Sequence, residues 1–335
     1  MELNQLFSQG MILQANKPVR VFGTGAGTAT VTIGGKTATT QSSGDSWLVE
    51  LPSFDYGGPY VLEVELNGVK TAISDVHFGD VYLLAGQSNM EMKLGVTNTP
   101  AAYYESNADL RLFSTDRVFD DLDYFHIRDG WVKADAETVA HWSALGYLSA
   151  RILHKKTGRK IGLIACYQGA SMIQSWLPKG ILLETDCAAA AEENNLATRT
   201  PEYLAWNMDG NLYGAQFAIL LPFSMKAVLW YQGESNTRLP DAALYGRLLE
   251  VLIRCWRKDL QDETLPFVVT QLADLFLSDI NRACWELVQT AQEEISRNIE
   301  NVYTVKCADF SETDDIHPVS KLPLAERIAA VLLEL

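Results

Sequence analysis

The chain has 335 residues and a mass of 37.2 kDa, more than one hydrophobic core usually organises, which excludes a lone small module and favours one large domain with a smaller companion. Hydrophobic residues at 47% and charged residues at 21% describe a chain that folds rather than a disordered one. With 27 Lys and Arg against 42 Asp and Glu, the net charge of -15 and the lack of any basic run argue against nucleic acid or an anionic membrane surface as partner.

The N-terminus, Met1-Glu2-Leu3-Asn4-Gln5, places an acid where an export signal carries basic charge, with no apolar stretch behind it. Five cysteines without CxxC spacing fit buried thiols in a reducing compartment, so a cytoplasmic protein with no disulfide framework, metal site or cofactor is expected. The longest apolar stretches, near 217–223 and 328–333, fall far short of the roughly 20 residues a membrane helix needs, and a soluble protein follows. Nothing in the sequence sets an oligomeric state.

Residues 1–75 alternate polar and apolar in short runs (19–22, 29–33, 46–51, 60–66, 69–73), separated by Gly34-Gly35, Gly57-Gly58-Pro59 and Asn67-Gly68. Period-two alternation with hairpin turns predicts a small antiparallel β-sandwich. The spacing Gly23-x-Gly25-x-Gly27 precedes another strand rather than a helix, so it reads as a turn and not as a dinucleotide loop.

From residue 76 to 335 the texture changes. Apolar runs at 81–85, 161–165, 227–230, 267–270 and 302–305 suit buried parallel strands, with 110–113 as an edge strand. Helices are predicted at 141–156, 242–257, 281–297 and 322–333, and the acid-rich stretch 116–137 as a solvated loop beside the crevice. Strand and helix in alternation imply an α/β fold, a doubly wound sandwich around a parallel sheet, whose ligands bind beyond the carboxyl ends of the strands.

Those strand ends carry four polar, glycine-rich segments. They are Gly86-Gln87-Ser88-Asn89-Met90, then Gln168-Gly169-Ala170-Ser171, then Gln232-Gly233-Glu234-Ser235-Asn236, and finally Asp309 with Asp314-Asp315-Ile316-His317-Pro318. A serine on a tight strand-to-helix turn exposes its hydroxyl next to a backbone N–H, which suits a nucleophile whose adduct needs a donor; capping the helix is the commoner role for such a serine. The second glycine of a G-x-S-x-G nucleophile elbow is missing. Of five histidines (77, 126, 141, 154, 317), only His317 combines a nearby acid, a predicted strand end and a following proline. A carboxylate three residues earlier suits an orienter of the imidazole, while the alternative is an acidic loop capping the last helix. Gly169 offers a backbone N–H and Gln232 a side-chain amide as oxyanion donors; a turn glycine and a solvated amide are the plainer roles.

Taken together, the segments resemble the SGNH/GDSL hydrolase superfamily, and more closely its sialate O-acetylesterase and acetylxylan esterase branch of carbohydrate esterases. The carriers are residues 78–92 (FGDVYLLAGQSNMEM), residues 230–236 (WYQGESN), and Asp314-Asp315-Ile316-His317-Pro318 with Lys321 following. The N-terminal stretch 6–14 (LFSQGMILQ) is similar to the β-sandwich that precedes the catalytic domain in this family. The resemblance implies a three-layer α/β/α sandwich over 76–335 behind the sandwich domain. It also implies a metal-independent serine esterase acting on acetylated mono- or oligosaccharides. By that resemblance Ser88 is the nucleophile, His317 and Asp314 complete a triad, and Ser88, Gly169 and Gln232 form the oxyanion hole. Asp315 competes with Asp314, although the family register Asp-x-x-His selects the latter. Relatives carry paired glycines in the second block where this chain has Gly169-Ala170, so either residue is a candidate donor, and Ala170 would be strained if that position needs positive φ. Glu234 reads as a contact to a substrate hydroxyl or as a structural acceptor. Trp176 and Trp230 either stack on a sugar or pack the pocket wall, and Arg238 meets a substrate carboxylate or a surface acid. A non-catalytic glycan-binding protein is the alternative of another class. About fifty residues separate Gly169 from the third strand, so the chain is a compact version of the family.

Overall fold

The computed structural model describes residues 1–115, 130–190, 206–276, 281–307, 309 and 314–335. The first 66 residues form strands only: β1 (Glu2–Leu3), β2 (Ile12–Gln14), β3 (Val19–Thr24), β4 (Gly27–Ile33), β5 (Lys36–Ser42), β6 (Ser46–Leu51) and β7 (Gly57–Leu66). β3 pairs antiparallel with β1 and β6, while β4 pairs antiparallel with β5 and β7. Alternation sets the burial: Val19 and Val21 on β3, Trp47 and Val49 on β6, and Ala29 and Val31 on β4 all turn inward.

The predicted boundary at residue 75 falls inside one strand. β8 (Val69–Gly86) begins as the hairpin partner of β7 and ends as a strand of the central sheet. The strand is irregular at that point, with Asp75 at φ 58 and a register shift against β7.

Beyond it come β9 (Asn107–Ser114), β10 (Val132–Ala134), β11 (Ile161–Tyr167), β12 (Ala227–Tyr231), β13 (Phe267–Thr270) and β14 (Val302–Val305). Their order is β10-β9-β11-β8-β12-β13-β14, with every pair parallel except β10 with β9. Because β8 also pairs with β7 and β2, the whole sheet is mixed. β9 is therefore not the edge strand expected from its apolar run, since β10 covers it. That short strand lies in the stretch read as a solvated loop, whose residues 116–129, His126 among them, fall outside the described part.

The helices are α1 (Ser88–Glu91), α2 (Ala144–Thr157), α3 (Asp241–Asp259), α4 (Arg282–Asn298) and α5 (Leu322–Leu333). Their ends follow local chemistry. Ser143 caps α2 by accepting from Gly146 N–H at 3.2 Å, and Gly158 stops it at φ 68. Asn281 caps α4 through Cys284 N–H. Helix α2 packs against α5 and α3 against α4, and none of the described helices is long and apolar enough to cross a membrane.

Candidate active site

Parallel register brings three strand ends together. Gly86 on β8 stands beside Tyr167 on β11 and Tyr231 on β12, so the first three polar segments leave the sheet at one level. Contact there is close: a Cβ on Gly86, which has φ 128, would lie 2.1 Å from the Tyr231 carbonyl oxygen. Only glycine satisfies both the dihedral and the approach.

Ser88 opens α1 and is half-buried, and its Oγ lies 2.8 Å from His317 Nε2. Residues 229 positions apart are thus held in direct hydrogen-bond contact, the separation a nucleophile and its base require. Burial pushes the His317 pKa below 6.5 and the Lys321 ammonium pushes the same way, while Asp315 pulls against both. The imidazole is accordingly neutral near pH 7 and able to accept a proton.

Gly169 is beside this pair. A Cβ there would sit 3.9 Å from Ser88 Cβ and 3.2 Å from Glu91 Oε2. No acceptor for its N–H is recorded among the described residues, and Ser88 N–H, as the first of a helix, has none within it. Ala170 adopts φ 54, the left-handed conformation that the missing second glycine would occupy without strain. Asn207 braces the turn from outside, donating to Ala170 O at 3.0 Å and accepting from Met172 N at 2.7 Å. Alanine at positive φ carries about 1 kcal/mol of strain, so Ala170→Gly is expected to be neutral or stabilising by up to about 1 kcal/mol in urea unfolding. At an ordinary φ the same exchange would destabilise.

The structure does not bring Gln232 to the serine as a donor. Its side chain is fully buried, with Nε2 donating to Ser171 O at 3.0 Å and to Asn236 Oδ1 at 2.7 Å, and Oε1 standing 2.9 Å from the Tyr245 hydroxyl. Both amide hydrogens are spent inside the wall. Asp314 is exposed and makes no recorded hydrogen bond to the imidazole; Asp315 instead accepts from His317's own backbone N–H at 2.7 Å.

Trp176 and Trp230 are corrected from sugar platform to core. Both have 0% exposure and pack edge-to-face on each other and on Trp256: Trp230 lies on β12, which is buried on both faces, and Trp176 on the turn Ile173–Trp176 packs onto it. Arg238 is exposed, and its side chain makes no hydrogen bond or ion pair among the described residues. Glu234 is 8% exposed; its Oε1 accepts from Asn89 at 2.6 Å, its Oε2 has no partner among the described residues, and burial raises its pKa.

Several site residues escaped the sequence reading although they lie inside the quoted segments. Gln87 Oε1 accepts from Gly233 N at 3.2 Å and Ser235 N at 3.3 Å, tying the first turn to the third. Asn236 donates to Gln174 and Asp241 and accepts from Ile173 N, tying the third to the second. Their signal was present: polar side chains in short turns after buried strands need partners, and the neighbouring turns are the nearest.

A serine in contact with a neutral histidine, at the carboxyl ends of a parallel sheet and beside unengaged backbone N–H groups, is the apparatus of a serine hydrolase of the α/β type. The chain belongs to the family described as carbohydrate esterase, sialic acid-specific acetylesterase, whose model matches residues 78–334. It is a carbohydrate esterase. The chain is similar to human (Homo sapiens) sialate O-acetylesterase, 26% identical with 95% of this chain and 68% of that protein covered. It is also similar to the crystal structure of a carbohydrate acetylesterase from Xanthomonas citri, at TM-score 0.82 and 29% identity, covering 98% of this chain and 73% of that one. An Arabidopsis thaliana protein shares the fold at TM-score 0.51 and 21% identity, over 76% of this chain and 98% of that one.

Proposed function

We propose that this chain is an O-acetylesterase of the sialate O-acetylesterase kind, releasing acetate from acetylated sugar hydroxyls, within a three-layer α/β/α catalytic domain behind the β-sandwich. The observation that carries the reading is the 2.8 Å contact between Ser88 Oγ and His317 Nε2. Ser88 Oγ attacks the acetyl carbonyl carbon while its proton passes to His317 Nε2. The oxyanion is met by the N–H groups of Ser88 and Gly169. As the bond to the sugar oxygen breaks, His317 returns the proton to that oxygen. Water, deprotonated by His317, then attacks the acetyl carbon; the bond from that carbon to Ser88 Oγ breaks, His317 returns the proton to Ser88 Oγ, and acetate leaves.

Three features bear on substrate. Arg238 is exposed on the loop after the third segment and suits a sugar carboxylate, as on a sialic acid. Glu91 Oε2 lies close to Gly169 and suits a neighbouring sugar hydroxyl. The net charge of -15 disfavours polyanionic chains while leaving a single carboxylate to a local arginine. Acetate release should be compared across O-acetylated sialic acid, acetylated xylooligosaccharides and acetylated monosaccharides, with preference for the first expected. Preference for xylooligosaccharides would move the assignment to an acetylxylan esterase. Failure of Ser88 to react with a fluorophosphonate, with glycan binding intact, would leave a binding protein.

Asp314 is proposed as the third catalytic member on its register alone. Exposed and with no bond to the imidazole recorded, it should matter less than its partners, so Asp314→Asn is expected to lower kcat/KM for p-nitrophenyl acetate by about tenfold or less. A loss near the ~10⁴-fold of an engaged triad acid would show that Asp314 reaches His317 during turnover.

A further inference from the structure

Asn89 follows Ser88 and is 1% exposed. Its Nδ2 donates to the Ile316 carbonyl oxygen at 2.9 Å and to Glu234 Oε1 at 2.6 Å, while its Oδ1 accepts from Lys321 Nζ at 2.6 Å. Lys321, also 1% exposed, precedes α5 and holds its ammonium 5.5 Å from the centre of the Tyr231 ring. Ile316 is the neighbour of His317. The side chain next to Ser88 therefore grips the backbone next to His317, across 227 positions of sequence.

Lysine can only donate hydrogen bonds and a carbonyl oxygen can only accept them. With Lys321 on one side and Ile316 O on the other, the Asn89 amide has one workable orientation: oxygen to the ammonium, nitrogen to the carbonyl. With no acid among the described residues bonded to the imidazole, the placement of His317 on Ser88 depends on how its loop is held.

We infer that Asn89 and Lys321 are positioning residues, a clamp that seats the His317 loop on the Ser88 turn. This rests on the assignment of Ser88 and His317 as nucleophile and base. Lys321 fixes the sense of the Asn89 amide, and Asn89 fixes the loop. Among the described residues, the charged groups acting on His317 are Asp315 on its own loop and Lys321 ahead of α5, with Asp314 next to Asp315 in the chain and Glu234 beyond Asn89.

The test is a cycle of Asn89→Ala, Lys321→Met and the double variant, read with p-nitrophenyl acetate and with NMR titration of the His317 imidazole. Each single variant is expected to lose about 10–100-fold in kcat with KM within about twofold, since misplacement by an ångström has that effect on a reacting pair. The double variant should be no worse than the poorer single one, as for residues acting as one unit. In each variant the His317 pKa should rise towards the ordinary 6.5. Should either fail to fold, Asn89→Ser and Lys321→Gln carry the same expectation. If the parent releases acetate while the variants keep kcat within twofold and an unmoved His317 titration, the clamp is overturned. If the parent releases no acetate but the His317 titration moves in the variants, the esterase reading fails and the clamp stands.

Discussion

Ser88→Ala is expected to abolish acetate release, lowering kcat for p-nitrophenyl acetate by at least about 10⁴-fold, because it removes the hydroxyl that His317 contacts and on which the acetyl-enzyme would form. His317→Ala should lose nearly as much, and the double variant no more than either, since nucleophile and base act as a unit. Stability should barely change in Ser88→Ala. Ser88 Oγ has one recorded hydrogen bond, to the imidazole, and losing a half-exposed bond of that kind alters unfolding by about 1 kcal/mol or less. Activity retained in that variant with a native fold would remove the serine mechanism altogether.

The pH profile follows from the same pair. His317 must be unprotonated to accept the Ser88 proton, so kcat/KM rises with pH through its pKa and then levels. Burial and Lys321 hold that pKa below 6.5, so the midpoint of the acid limb is expected below 6.5. A midpoint above 6.5 would mean that an acid has engaged the imidazole in the free enzyme. The stability sign agrees. The folded state binds the His317 proton less tightly than the unfolded chain, so its contribution is complete above the unfolded pKa and is lost as pH falls from there towards the folded value.

Much of this site was legible because its parts are contiguous. Each of the first three polar segments directly follows a buried strand, and parallel strands bring such segments to one edge whatever the loops between them do. Two helix ends were legible for a local reason too, since Gly158 and Asn281 are caps that act within one turn, whereas α2 starts at Ala144 behind Ser143 and not at the predicted residue 141. What escaped depended on neighbours distant in sequence. β5 (Lys36–Ser42) has no apolar alternation because it is mostly exposed, and it forms only by pairing with β4. Trp176 and Trp230 sit next to the site in sequence but turn into the core; Trp230 is on a strand buried on both faces, which carries no period-two pattern to reveal which way a residue points, and Trp176 ends a single short helical turn, too brief to show a periodicity. Gln232 has the residue type of an oxyanion donor, but Tyr245, Asn236 and Ser171 O satisfy it completely, and of those partners only Asn236 lies in its own segment.

The irregularity inside β8 supports the second large effect. Asp75 has φ 58 and gathers two cations and an imidazole: Oδ1 lies 3.2 Å from Arg111 Nη2 and 2.9 Å from His77 Nε2, and Oδ2 lies 2.9 Å from Lys133 Nζ. Arg111 is 2% exposed on β9, and its remaining bonds go to the carbonyls of Gly10, Asp75 and Ala108. The cluster therefore pins the N-terminal strands to the central sheet where no linker separates them. Asparagine tolerates positive φ as well as aspartate does, so Asp75→Asn removes the charge while keeping the backbone. It leaves the buried guanidinium without its counter-ion, a loss of about 3 kcal/mol, seen in a chain of this size as a fall of roughly 5 °C or more in Tm. The cations hold the Asp75 carboxyl well below the usual carboxylate range against the opposing effect of burial. Its contribution is present above the unfolded pKa near 4 and disappears as pH falls towards the folded value, so parent and variant should converge in stability under strong acid. A constant gap between them at every pH would assign the loss to packing rather than to the charge.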